Sequence, residues 1–65
     1  MNIVVGNVDE NVLSVVVEPH AEERSVEQNG QIVLCVTGGT GDVELEYGNG
    51  SLSVFIDREA HYSFL

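Results

Sequence analysis

The sequence predicts an all-β domain: a small, mostly antiparallel sandwich or barrel of six to seven short strands. Three observations carry that expectation. Apolar residues alternate with polar ones over short stretches, glycine and Asx residues punctuate the chain at close intervals, and no window holds a helical stripe. The 65 residues are read as a single all-β domain, 1–65, with one small core.

Met1 to Val8 contains Ile3-Val4-Val5, an apolar run suited to a strand, and Asp9-Glu10-Asn11 reads as a turn. Val12 to Glu18 is the most β-branched stretch and is expected to be the central strand. Pro19 ends it, because proline cannot donate to a ladder and restricts the residue before it. His20 to Glu23 reads as a polar loop or at most one helical turn.

Arg24–Gln28 and Gln31–Thr37 flank Asn29-Gly30, a hairpin signal. A two-residue turn would pair Val26 with Val33 but set Glu27 against Ile32. A three-residue loop with Gly30 left-handed pairs Val26 with Ile32 and extends the Ile32, Leu34, Val36 face, and is the expected register. Gly38-Gly39-Thr40-Gly41 reads as a flexible connector. It resembles a phosphate loop only superficially, since it lacks the lysine, no helix follows, and Asp42 would repel an anion.

The last hairpin is the clearest local expectation. A type I′ turn at Asn49-Gly50 sets Tyr47 opposite Leu52, Leu45 opposite Val54 and Val43 opposite Ile56. Glu44 and Glu46 then fall on the other face with Ser53 and Phe55. Asp57 to Ala60 turns the chain again, and His61–Leu65 alternates with Tyr62 and Phe64 on one face.

Charge narrows the function classes. Eleven carboxylates stand against two arginines and no lysine, a net charge of −9, yet the chain is 43% hydrophobic. The acid therefore decorates a folded domain rather than a disordered tail. Nucleic-acid binding is excluded as a primary activity, because only Arg24 and Arg58 could neutralise phosphates. An anionic membrane surface is disfavoured on the same ground, whereas encounter with a basic protein would be accelerated. No apolar stretch approaches the roughly 20 residues of a spanning helix. With no basic region before an apolar run, the chain is expected to be cytoplasmic. Asn49-Gly50-Ser51, a glycosylation triplet in form, is accordingly read as a turn.

A chain this short buries only about 60% of its unfolded surface, and small domains commonly add a staple. The single Cys35 excludes an internal disulfide and there are no metal-binding cysteine pairs, which leaves a partner chain or unusually good strand pairing; self-association is the expected support. Cys35 itself, in an apolar strand within a negative field that raises a thiol pKa, reads as a buried structural residue.

His20 with Glu22 and Glu23, and His61 with Asp57 and Glu59, offer nitrogen and oxygen donors for a zinc-like ion only if folding joins two separate loops. The plainer reading is solvated loop residues, so no metal and no cofactor is assigned. Glu44 and Glu46 are a poor glycosidase pair: they lie on the outer side of a hairpin, and the chain has no Trp and only two Tyr and two Phe to stack on sugars. There is also little room for the roughly 300 Å³ of a ligand pocket. The chain is read as non-enzymatic. Phe55 between Glu44 and Glu46 is the candidate partner-binding feature, an apolar anchor ringed by acid that suits a basic protein; the alternative is that a second sheet of the sandwich covers it.

Val17-Glu18-Pro19-His20-Ala21-Glu22-Glu23, with Val26, Gly30 and alternating Ile32-Leu34-Val36, resembles a group of small uncharacterised bacterial all-β proteins with a V-E-P-x-(A/G)-(E/D)-(E/D) segment. The resemblance covers residues 12 to 56 and implies no activity. The same stretch is also similar to half of a cupin, which would imply a metal or small-ligand binder, but it lacks the His-x-His pair. The resulting expectation is an acidic interaction module that binds or inhibits a basic protein. The alternatives are a homo-oligomeric structural domain or a cupin-like binder.

Overall fold

Seven strands form where the alternating stretches lie, and the computed structural model describes residues 1–65 in full. In chain order they are β1 (Asn2–Gly6), β2 (Leu13–Glu18), β3 (Glu22–Val26), β4 (Gln31–Gly38), β5 (Val43–Gly48), β6 (Ser51–Ile56) and β7 (Ala60–Phe64). They make two sheets, one ordered β1-β4-β7 and the other β3-β2-β6-β5. All pairings are antiparallel except β2 with β6, which run parallel with Val15 beside Leu52 and Val17 beside Val54.

Alternation decides what is buried. Val5, Val15, Val17, Val26, Leu34, Val36, Val54, Ile56 and Ala60 form the core between the sheets. Leu34, Val15, Val17 and Val54 are fully enclosed. The even-numbered residues of β4 thus face inward, as the Ile32, Leu34, Val36 pattern predicts.

The β5–β6 hairpin has the expected register, with Val43 opposite Ile56, Leu45 opposite Val54 and Tyr47 opposite Leu52. Asn49 and Gly50 both have positive φ, 53° and 74°, as a type I′ turn requires. Tyr62 and Phe64 share one face of β7, the inner one.

The expected hairpin at Asn29-Gly30 does not form. β3 pairs with β2, and β4 pairs with β1 and β7, so the two flanking stretches belong to different sheets. Residues 27–30 are a corner between the sheets. Gly30 donates to the Glu27 carbonyl at 2.9 Å, and it is Asn29, not Gly30, that adopts positive φ (64°). The competing attraction is β1: Asn7 N–H donates to the Gly30 carbonyl at 3.1 Å and Asn29 N–H to the Asn7 carbonyl at 2.6 Å. Nor are Glu22 and Glu23 loop residues, because β3 begins at Glu22, after a turn in which Ala21 has φ 59°. The Glu18–Pro19 bond within that reversal is cis.

Asn7 is the one buried polar residue. Its Nδ2 donates to the carbonyls of Asn11 (2.8 Å) and Val26 (2.9 Å), and its Oδ1 accepts from Asp9 N–H at 3.0 Å. Both of its side-chain donors and its carbonyl oxygen have partners, which is what makes the burial tolerable.

Candidate interaction face

The outer face of the four-stranded sheet follows from two registers. The type I′ hairpin puts Phe55 directly opposite Glu44, and Glu46 opposite Ser53. The parallel β2–β6 pairing then brings Glu18 against the other side of Phe55. Glu18, Phe55 and Glu44 therefore form one row across three strands. The next row is Glu23, Val16, Ser53 and Glu46. Phe55 is 37% exposed, so no second layer covers this face. Glu23 accepts a hydrogen bond from the Ser14 hydroxyl. No cation lies on either row.

Where the Phe55 row meets the turn after β4, residues Thr40, Asp42, Val43, Glu44, Phe55, Ile56 and Asp57 line an open hollow of about 410 Å³. That is more space than chain length alone suggested, but it is a surface depression rather than an enclosed chamber. Three of its lining residues are carboxylates, with one side of the Phe55 ring beside them.

Of the predicted partner-binding residues, the fold brings Phe55 and Glu44 into contact range as cross-strand neighbours and sets Glu46 one row away. Glu18 was missed. Its place depends on a pairing between segments nearly forty positions apart, which leaves no local signature in the sequence.

The loop residues considered as metal ligands do not converge. His20 packs its ring against Tyr62, with centroids 5.1 Å apart. His61 stands on the outer face of the other sheet, opposite Thr37. Asp57 accepts from the Thr40 N–H at 3.0 Å. Glu22 accepts from the Tyr62 hydroxyl at 2.5 Å and pairs with Arg24 at 2.7 Å. No three His, Cys, Asp or Glu side chains are grouped as a metal site would need.

The Glu22 cluster instead clamps the sheets together. Arg24 also lies 4.7 Å over the Phe64 ring, and Tyr62 and Phe64 meet edge to face at 6.2 Å. The hydrogen bond from Tyr62, aided by Arg24, holds the Glu22 carboxyl below the ordinary carboxylate range. The same bond, with partial burial, raises Tyr62 above the usual phenol value. Cys35 differs from expectation: it is only half-buried, on the outer face of the three-stranded sheet between Asn2 and Ser63. That face is not covered by a second layer, which is why an apolar strand fails to enclose it.

No protein-family model, curated protein or solved structure matches this chain.

Proposed function

We propose that this chain is a non-enzymatic, cytoplasmic interaction module that binds, and by binding inhibits or neutralises, a basic protein. The observation that supports the reading is the Glu18–Phe55–Glu44 row: an uncovered aromatic ring flanked on both sides by carboxylates, on a face without cations. An apolar anchor surrounded by like charge suits a partner whose basic groups ring an apolar pocket. With a net charge of −9, association would be fast at low salt and weaken steeply as salt rises.

Capture from the native host's lysate, eluted by a salt gradient and repeated with Phe55→Ala and with the Glu44→Lys/Glu46→Lys pair, tests this. A basic protein that elutes at moderate salt and is lost from both variants supports the reading. A captured protein that both variants retain equally removes the face from consideration.

One observation favours a second reading, self-association. The outer face of the three-stranded sheet carries Asn2, Val4, Gln31, Val33, Cys35, Thr37, His61 and Ser63, with no acidic side chain among them. It is the one surface on which two copies of so acidic a chain could meet without carboxylates opposing each other. A monomer mass by sedimentation at micromolar concentration would sink this second reading.

A further inference from the structure

The two sheets are unequal, three strands against four. At one side of the sandwich the edges match: β3 and β7 are tied by the Tyr62–Glu22 hydrogen bond and by Arg24 over Phe64. The surplus strand therefore falls at the opposite side, where β5 extends past β1. Leu45 and Tyr47 lie on the core-facing side of β5, opposite Val54 and Leu52, yet they are 52% and 68% exposed. They face the place where a fourth strand of the smaller sheet would run.

The edge beside that place is open. Met1 and Val36 exchange both backbone hydrogen bonds, through the Met1 amine and the Val36 N–H, and Asn7 N–H donates to Gly30. In an antiparallel ladder the bonded residues alternate, so the odd-numbered residues of β1 point their backbone groups at β4. The N–H and C=O of Asn2, Val4 and Gly6 then point outward. Edge strands are normally guarded by charge or proline. β3 carries Glu22, Glu23 and Arg24, and β5 carries Glu44 and Glu46, but β1 is Asn-Ile-Val-Val-Gly, with neither charge nor proline.

Charge selects what can enter. Asp9 borders Tyr47 at one end of the vacant lane, and Asp42 and Asp57 lie around Val43 at the other, with no Lys or Arg among the residues lining either hollow; the one cation on the β1 side is the Met1 amine, which is held by the Val36 carbonyl. A second copy is a poor occupant, because β1 on β1 would drive the two surplus β5 strands, each with Glu44 and Glu46, against one another.

We propose that the β1 edge accepts an extended segment of a basic partner as the fourth strand of the smaller sheet. Its alternate apolar side chains would cover Leu45 and Tyr47, and its Lys or Arg residues would reach the aspartates at the lane's ends. This is strand addition, in which backbone bonds supply affinity and alternate side chains supply selectivity. It shares with the preceding reading the basic character of the partner and the Asp42–Asp57 hollow at one end, but Leu45, Tyr47 and the β1 edge lie on the opposite side of β5 from the Phe55 face.

The test uses the full chain, labelled for amide NMR, and a capped peptide of about eight residues alternating valine with lysine. The expected result is peptide-induced shifts at Asn2, Val4, Gly6, Leu45 and Tyr47, fading as salt is raised. Val4→Pro removes an outward donor without deleting a β1–β4 hydrogen bond, and the exposed Leu45→Ser, which leaves the backbone and the core intact, tests the same lane independently of any strain from the proline ring. Each should weaken the peptide about tenfold, while Phe55→Ala leaves it unchanged. The proposal is overturned by the absence of shifts at millimolar peptide or by shifts confined to the Phe55 face. Equal binding of a valine–glutamate peptide, or pairing of two copies through β1, would overturn it too. Loss of the lysate partner on Phe55→Ala alone, with the peptide still bound at β1, would separate the two surfaces.

Discussion

The side-chain amide of Asn7 donates to the carbonyl of Val26 at 2.9 Å, and that bond crosses from one sheet to the other. Asn7 follows the last residue of β1, and Val26 is the last of β3, a buried core valine. The same side chain holds Asn11 and Asp9, so one residue fastens the β1–β2 turn, the β3 end and the sheet corner together. Asn7→Ala should therefore cost about 3 kcal/mol by urea denaturation, because it orphans the carbonyls of Val26 and Asn11. A loss below about 0.5 kcal/mol, the range of ordinary surface changes, would contradict this role.

Tyr62 and Glu22 give stability a defined pH profile. Glu22 is depressed, so its contribution is present above its unfolded value of about 4.3 and disappears as pH falls through the folded pKa. Tyr62 is raised, so its contribution is present below about 10 and disappears as pH climbs through the folded pKa. The melting-temperature gap between the native chain and Tyr62→Phe should be flat across roughly pH 5 to 9 and shrink beyond both ends. A gap that is constant from acid to alkali would refute the pairing.

Leu45 and Val54 are direct cross-strand partners, yet only Val54 is enclosed. Val54→Ala should cost about 2 kcal/mol, and Leu45→Ala no more than about 0.5 kcal/mol, in chemical denaturation. Similar losses at both sites would mean that β5 packs under a cover.

Gly39 and Gly50 both have positive φ, 63° and 74°, but only Gly39 is crowded. An added Cβ there would meet Asp57 Oδ2 at 2.5 Å and Ala60 N at 3.1 Å, whereas at Gly50 nothing lies within 4 Å. Gly50→Ala should cost about 1 kcal/mol from backbone strain alone, and Gly39→Ala clearly more. Equal melting temperatures for the two variants would contradict the packing of the β4–β5 loop on Asp57.

How far an element is legible in the sequence follows from the range of the interactions that fix it. The β5–β6 hairpin was legible residue by residue, because Asn49-Gly50 selects one turn and that turn fixes every partner up to Val43 and Ile56. The Ile32, Leu34, Val36 face of β4 and the shared face of Tyr62 and Phe64 on β7 were legible for the same reason, as alternation is a local property; which side of β7 meets the core was not. Asn29-Gly30 misled because a turn signal says that the chain reverses, not which strand receives it; the bonds from Asn7 decide that. Half of the Phe55 environment was read correctly through Glu44, and the other half, Glu18, depends on a parallel pairing that no turn announces. The Tyr62–Glu22–Arg24–Phe64 clamp was invisible for the same reason, since it joins residues forty positions apart.

The parallel seam between β2 and β6 also bears on how the chain reaches its fold during synthesis. β2 is made early, but its central neighbour is not complete until Ile56 has been added, and the smaller sheet waits for β7. Until then the valine-rich β2 has only β3 to pair with and offers an open edge while still tethered to the ribosome. Non-local pairing of this kind is slow and exposes nascent chains to one another. The nine carboxylates that precede Ile56 would keep such half-made chains apart, a protective role distinct from anything the finished surface does.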